Sequence, residues 1–312
     1  MYNREDCIAR CIDSVIRNLH DEIIPVEHII VDDGSSDRTA QIVEAYSREY
    51  SHIKFIKLEK NKGVNAARNA AISRASREFC IILDSDDFFV DDAIETINAI
   101  VKNNTQFKHF LFTADDIQPT YAQNYLLNGR DSRVLSFADF LAGKLLVGFI
   151  HCMTTNTLRC YPFDENLRTY EGVFFMRFYK KAGRMLFTNQ IVTIRERNRM
   201  DSVSLDFLRT SDKVIKRTYE QSAYYIKWFQ QDFKALGLIS QLERQYKIML
   251  DNALLLSDYS KAKYCMDELS LLPAKVSTIH RFIYSMKLGY IYKMTLRLYL
   301  FIKYRILKKQ FN

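Results

Sequence analysis

The order in which apolar segments recur along the N-terminal third of the chain constrains its fold most strongly. Short apolar runs alternate with segments whose apolar residues recur at helical spacing. The first pattern predicts buried strands and the second amphipathic helices. Such alternation is typical of a mixed, mostly parallel sheet with helices on both faces, an α/β fold. We predict helices at 5–19, 37–50, 63–75 and after Asp91-Asp92, and strands at 27–32, 53–58, 78–83 and 108–113.

The rest of the chain follows other patterns. The segment from 135 to 200 is mixed, whereas 208–307 has helical spacing and is rich in Tyr and in basic residues. With 312 residues and 48% hydrophobic content, the chain can bury a large core. We therefore predict an α/β domain over 1–205, followed by a helical, basic C-terminal region over 206–312.

Two predicted strands end in carboxylates. Asp32 and Asp33 close one, and Asp84, Asp86 and Asp87 close another. Ligands of open α/β sheets bind at the carboxyl ends of the strands, and clustered like charges favour a bound cation or hydrogen-bond donors. A hard divalent ion held by a carboxylate or two and by phosphates meets that requirement. Helix caps and turn formers are the alternative at 33–37, whereas three carboxylates after a buried strand favour a ligand site.

Three motifs carry a resemblance to a known family. They are VDDGSSDRT at 31–39, NKGVNAARNAAI at 61–72 and ILDSDDF at 82–88, and in this order they resemble the motifs of family 2 glycosyltransferases of the GT-A fold. YNRED at 2–6 and PFDENLRTYEGVFFMRF at 162–178 are similar to further family segments. The resemblance extends over about residues 1–205. It implies transfer of a sugar from a nucleotide-diphospho-sugar, with UDP the commonest nucleotide, during assembly of bacterial surface polysaccharide.

The resemblance also implies roles for residues of the donor site. Asp32 or Asp33 would accept a hydrogen bond from the uracil ring, and Tyr2 would lie against the base. Asp84 would lie near the ribose and, with Asp86, form a D-x-D-like motif that binds Mg²⁺ or Mn²⁺ bridging the two phosphates. Such a cation would stabilise the charge that develops on the leaving diphosphate.

Four arginines are further candidates for this site. Arg68, in the AARN stretch, is either a companion charge near the donor or a solvated helix residue. The segment IRERNRMDSVS at 194–204 resembles a loop that closes over donor or acceptor in the family. Its Arg195, Arg197 and Arg199 either contact phosphates or solvate the loop.

The catalytic base implied by the resemblance is Glu171. The family has an E-D pair whose Asp lies six residues before an Arg, and counting back from Arg177 reaches Glu171, with Tyr170 in place of the Glu. A carboxylate there would deprotonate the acceptor hydroxyl in a single displacement with inversion. In the other alignment Gly172 replaces the base and the enzyme is inactive. A Glu that opens a helix is also a common N-terminal charge.

The family's opening strand is a departure from the pattern. The resembling segment starts at Met1, so the apolar strand that precedes it in the family does not appear in this sequence. We expect the natural chain to start further upstream or this version to be truncated. A chain without that strand is expected to be less stable and to bind nucleotide weakly, because backbone groups of both neighbouring strands would lack partners.

The net charge of +8 comes from the C-terminal region. No acidic residue follows Glu268, whereas nine basic residues do. No uncharged apolar run is long enough to span a membrane, so we expect a cytoplasmic protein. On a single helical wheel the basic residues of the tail scatter, which leaves open both peripheral contact with an anionic membrane, where a lipid-linked acceptor would lie, and a packed appendage.

Three other functions compete with transfer. A nucleic-acid binder would use the basic tail, but no recognised motif accompanies it. A nucleotidyltransferase would show a glycine-rich phosphate loop near its start, which this sequence does not have. A non-catalytic partner protein with a degenerate GT-A fold is the strongest alternative. The sugar, the acceptor and the linkage are not readable from the sequence.

Overall fold

The computed structural model describes residues 1–19, 24–118, 130–143, 148–165, 171–196 and 211–303; for Glu171 it describes the backbone alone. The chain divides into two compact units. One comprises Met1–Phe140 and Lys144–Asn198, and the other comprises Leu141–Gly143 and Arg199–Asn312.

Strands and helices alternate along the N-terminal part of the first unit as the sequence predicts. Each predicted element forms, and its ends lie within three residues of the predicted ones. In chain order the elements are α1 (Ile8–Arg17), β1 (His28–Asp32), α2 (Thr39–Glu49), β2 (Ile53–Lys57), α3 (Val64–Arg74), β3 (Phe79–Ile81), β4 (Phe88–Phe89), α4 (Ala93–Asn103) and β5 (His109–Ala114).

The mixed segment that follows adds strands to the same unit. Its elements are β6 (Ser132–Ser136), α5 (Phe137–Leu141), β7 (Ile150–Thr154), α6 (Thr155–Cys160), α7 (Glu171–Ala182) and β8 (Arg184–Ile194). The long strand β8 pairs with β5, β4 and β6, and it therefore organises much of the sheet.

The strands form two sheets. β1 and β2 pair in parallel and make a small sheet of their own. The larger sheet has the order β3-β7-β5-β8-β4, with β6 also on β8. Its β5–β8 pair is parallel and its remaining pairs are antiparallel. Mixed sheets covered by helices confirm the predicted fold class.

Helix α1 connects the two sheets through their hydrophobic cores. Ile8, Cys11 and Ile12 pack in the core of the β1–β2 sheet, whereas Val15 packs in the core of the larger sheet. Leu83, which follows β3, contacts both cores. No ladder joins β1 to β3 in the described part of the chain, so α1 provides the packing between the sheets.

The second unit is helical over residues 212–303. Its helices are α8 (Asp212–Ala235), α9 (Ile239–Leu255), α10 (Tyr259–Ser270), α11 (Thr278–Ser285) and α12 (Gly289–Phe301). Helix α9 lies at the centre and contacts the other four. Its buried apolar residues are Leu242, Tyr246, Met249, Leu250, Ala253, Leu254 and Leu255. Among the helices of the described ranges, none is both long and apolar enough to cross a membrane.

Candidate functional site

The turn that follows β1 is held by its own two carboxylates. Asp32 is fully buried and accepts hydrogen bonds from the backbone N–H of Ser35 at 3.2 Å and from the Ser35 hydroxyl at 2.5 Å. Asp33 accepts from the backbone N–H groups of Lys62 and Gly63, each at 2.7 Å. Gly63 is the N-cap of α3, so Asp33 fixes the end of β1 to the start of that helix.

A cleft lies beside this turn, at the carboxyl ends of β1 and β2. It has a volume of about 360 Å³ and is lined by Gly34, Ser35, Lys57, Leu58 and Glu59. Gly34 has φ +74°, and a Cβ there would lie 2.9 Å from the backbone N of Asn61. Glycine is therefore required for the turn to pack against the segment at 60–61 and to shape the cleft.

Tyr2 lies in a segment that is fastened to the same turn. Met1 donates from its amino group to the carbonyl of Val31, and Asn3 donates from its backbone N–H to the hydroxyl of Ser35. Tyr2 as a whole residue is 43% exposed. An exposed aromatic residue thus lies next to the turn, and its contact with a base stays a prediction.

The second acidic strand end carries an ion pair. Arg68 on α3 donates to the carboxylate of Asp84 at 2.9 Å, and its guanidinium lies 5.5 Å from the ring centroid of Phe163. The Arg68 side chain is only 10% exposed, whereas that of Asp84 is 52% exposed. Arg68 is therefore a largely buried, ion-paired residue, and its role as a charge near a donor stays a prediction.

The third carboxylate of this strand end, Asp87, is held by Arg195. The guanidinium of Arg195 lies 3.9 Å from Asp87 and 3.6 Å from Asp116, and it donates to the carbonyl of Gly148. Burial, with the nearby charges of Asp84 and Asp86, raises the pKa of Asp87 to about 7. Arg195 is nearly buried, so it is a structural partner of the acidic turn and not a solvating residue of the loop.

Sequence reasoning missed a further pair at this site. Arg10 on α1 lies 4.6 Å above the ring of Phe88 and forms an ion pair of 2.5 Å with Glu196. Glu196 in turn donates from its backbone N–H to Asp87 at 3.4 Å. A charged residue on the outer face of an amphipathic helix gives no signal of a partner so distant in the sequence. Only the fold shows that Arg10 lies next to the acidic turn at 84–87.

The two acidic strand ends lie near each other. The amino group of Met1 is within electrostatic range of Asp32, Asp33 and Asp84, and these charges oppose the burial that lowers its pKa. Cys11 on α1 packs below the second turn, with its Sγ 3.8 Å from the carbonyl of Asp84. The structure thus brings together the turn at 31–37 and the turn at 84–87, which are separated by about fifty residues.

The acidic turn fits a divalent cation that is only partly coordinated by protein. Asp84 and Asp86 would provide hard oxygen ligands, and a cation there would relieve the second of the two causes, burial and neighbouring carboxylate charge, that raise the pKa of Asp87. Within the described ranges, no group of three or more His, Cys, Asp or Glu residues converges to hold a metal ion. Additional ligands would therefore come from a bound molecule, as phosphate oxygens do in many Mg²⁺ sites.

Glu171 is the first residue of α7, a helix whose residues Val173, Phe174 and Phe178 are buried. Its side chain, Tyr170, Arg197 and Arg199 lie outside the described part of the structure. Arg177, from which Glu171 was counted, lies 5.5 Å from the ring of Tyr161. The role of Glu171 as base stays a prediction.

The α/β architecture, with an acidic turn after each of two strands, agrees with the GT-A fold expected from the motifs. Residues 1–152 match the family described as Glycosyl transferase family 2. The N-terminal part of the chain is therefore similar to family 2 glycosyltransferases, which confirms the resemblance seen in its motifs.

Three curated relatives show the extent of the similarity. The minor teichoic acid biosynthesis protein GgaA of Bacillus subtilis is 37% identical over 59% of this chain and 43% of its own length. The GalNAc(5)-diNAcBac-PP-undecaprenol beta-1,3-glucosyltransferase of Campylobacter jejuni is 26% identical over 75% of this chain and 83% of its own. Glycosyltransferase GlyA of Streptococcus pneumoniae is 34% identical over 31% of this chain, which spans 13% of GlyA.

Two solved structures share the fold. TarS 1-349 of S. aureus, in complex with UDP-GlcNAc, superposes with a TM-score of 0.59 at 16% identity, over 85% of this chain and 87% of that one. The mannosyltransferase PcManGT of Pyrobaculum calidifontis, in complex with GDP-Man and Mn²⁺, gives a TM-score of 0.58 at 12% identity, over 96% and 85% of the two chains. At these identities the likeness concerns the fold.

Proposed function

We propose that the protein is an inverting glycosyltransferase that moves a sugar from a nucleotide-diphospho-sugar, with UDP as the nucleotide, to a hydroxyl of a glycan or a lipid-linked acceptor. The acceptor would belong to a bacterial surface polysaccharide, in keeping with the named activities of the relatives. The observation that carries the proposal is the ion pair between Arg68 and Asp84. It places a positive charge at the acidic turn, next to the turn at 31–37.

The nucleoside would occupy the cleft at the ends of β1 and β2. Gly34 and Ser35 line that cleft, and Tyr2 offers an exposed side chain for stacking on a base. Asp32 and Asp33 already accept hydrogen bonds from the chain. A carboxylate has about four acceptor positions, but both side chains are buried, so a further bond from the uracil N–H would require the turn at 31–37 to shift.

The diphosphate would lie over the acidic turn. Asp84 and Asp86 would hold Mg²⁺ or Mn²⁺, which when bound neutralises the charge that develops on the leaving diphosphate. Arg68 would add a fixed positive charge on the same side and orient Asp84. Arg195 would keep Asp87 in place behind them.

Glu171 would accept the proton of the attacking hydroxyl. The bond between that oxygen and the anomeric carbon forms as the bond to the diphosphate oxygen breaks, so the configuration inverts. Holding donor and acceptor in line contributes much of the rate, because it replaces an encounter in solution by a fixed geometry. We place the reaction in the cytoplasm, at the inner face of the cell membrane, where a lipid-linked acceptor would be presented.

Calorimetric titration of UDP into the protein, with and without Mn²⁺, tests the donor site. We expect binding that strengthens with Mn²⁺ and is lost in Asp86→Ala. The matched control is Asp91→Ala, which removes an exposed carboxylate after the same motif and should leave binding unchanged. Absence of UDP binding by the unaltered protein, or equal binding by Asp86→Ala, would contradict the proposal.

A further inference from the structure

The last two helices of the second unit are held on α9 in one orientation. Tyr292 on α12 donates to Asp251 of α9 at 2.5 Å, and Gly289 donates from its backbone N–H to the hydroxyl of Tyr259 at 3.0 Å. A Cβ at Gly289 would collide with the carbonyl of Leu254, so glycine permits this close approach. The faces of α11 and α12 that point away from α9 are therefore fixed as an outer surface.

This outer surface is apolar on both helices. On α11 and at its C-cap, Ile279, Phe282 and Met286 recur at intervals of three and four, which places them on one face. On α12, apolar residues recur at the same intervals along three turns. Their exposed fractions range from 40% to 68%. We call these residues the outer apolar surface: Ile279, Phe282, Met286, Tyr290, Ile291, Met294, Leu298, Phe301 and Ile302.

The formal charges that α11, α12 and the turn between them carry are all positive. Arg281, Lys287 and Arg297 are exposed next to it, and no acidic residue follows Glu268. Lys293 does not belong to this set, because its side chain is 12% exposed and binds Asp212 at 2.9 Å. The structure thus explains why the basic residues scatter on the helical wheel. Lys293 is largely buried and paired with Asp212, while the apolar face is exposed.

We propose that the outer apolar surface binds the interfacial region of an anionic lipid bilayer, with α12 lying along the membrane. Apolar side chains of such a helix enter the acyl boundary while flanking basic residues contact the headgroups. A second copy of the chain fits this surface poorly, since two positively charged rims would face each other. The inference rests on the proposed function in one respect: the proposed function specifies the inner face of the cell membrane as the surface that is bound.

Sedimentation with lipid vesicles tests the inference. We expect the protein to sediment with phosphatidylcholine vesicles that contain about a third phosphatidylglycerol and to bind pure phosphatidylcholine at least roughly fivefold more weakly. Leu298→Asp combined with Met294→Asp should abolish binding. Arg297→Glu should weaken it about fivefold or more, because each basic residue near an anionic surface contributes about that factor. Leu236→Asp, on an exposed leucine outside both helices, is the matched control.

A spectroscopic measurement shows whether the face itself enters the lipid. Trp228 is the only tryptophan of the chain, so Leu298→Trp in a Trp228→Phe background reports on position 298 alone. A blue shift of its emission with anionic vesicles supports the inference. Absence of both sedimentation and shift would overturn it, as would a dimer that dissociates in the Asp variants. UDP binding, measured on the same variants, stays intact in every case if the donor-site proposal is right.

Discussion

The guanidinium of Arg68 and the carboxylate of Asp84 meet at 2.9 Å, although one belongs to α3 and the other follows β3. Removal of the positive charge would leave several carboxylates facing an incoming diphosphate. We expect Arg68→Gln to weaken UDP binding about tenfold, the size of one charge-assisted hydrogen bond. Calorimetry measures this, and Arg74→Gln on the exposed part of the same helix is the control. Equal affinity in both variants would remove Arg68 from the site.

Glu171 at the start of α7 is predicted to be the base. Glu171→Gln cannot accept the proton of the acceptor hydroxyl, so we expect the turnover rate to fall about 100-fold or more while UDP binding is retained. The control is Glu95→Gln, since Glu95 is the acidic residue in the first turn of α4. If both variants keep full activity and lose only a little stability, Glu171 serves to stabilise the N-terminus of α7 and is not the base.

Asp33 is predicted to stabilise the fold as well as the cleft. In Asp33→Asn the amide NH₂ would face either the N–H of Lys62 or that of Gly63, and one buried donor would lose its acceptor. We expect the free energy of unfolding to fall by about 2 kcal/mol in urea. Asp91→Asn should change it by less than about 0.5 kcal/mol, as exposed substitutions usually do. A comparable small change at Asp33 would contradict this role.

Asp87 should make stability depend on pH near neutrality. Its folded-state pKa of about 7 lies above its ordinary value, so protonation favours the folded state, and that stabilisation is lost as the pH rises through 7. We expect Tm to fall by roughly 3 °C between about pH 6 and pH 8 without divalent cation. Asp87→Asn should flatten this dependence, and Mg²⁺ should offset it. An unchanged slope in the variant would exclude Asp87 as its source.

The buried histidines should limit stability in acid. His109 and His151 lie 3.0 Å apart, and burial lowers the pKa of His109 to about 3 and that of His151 well below its ordinary value. Their contribution is present above about pH 6.5 and is lost as the pH falls, by about 1.4 kcal/mol per pH unit for each. A His109→Leu/His151→Phe variant should show a shallower loss in acid. The same slope in both proteins would refute this source.

The local elements and the two acidic turns could be predicted from the sequence because their signals are local. Apolar spacing fixes α1, β1 and α2, and carboxylates directly after a strand mark its end. The pairing of Arg10 with Glu196 joins residues 186 positions apart, and the burial of Arg195 depends on which strand β8 pairs with. Neither contact has a local pattern. The ion-pair partners of Arg10 and Arg195 could therefore be assigned only from the structure.

Helix α1 has a consequence for how the molecule holds together. It contributes Ile12 to one core and Val15 to the other, so neither sheet can lose its packing without loosening the helix that the other uses. The turn that would receive a nucleoside and the turn that would receive its phosphates are borne by different sheets. A single ten-residue helix thus sets the distance between the turn proposed for the nucleoside and the turn proposed for its phosphates.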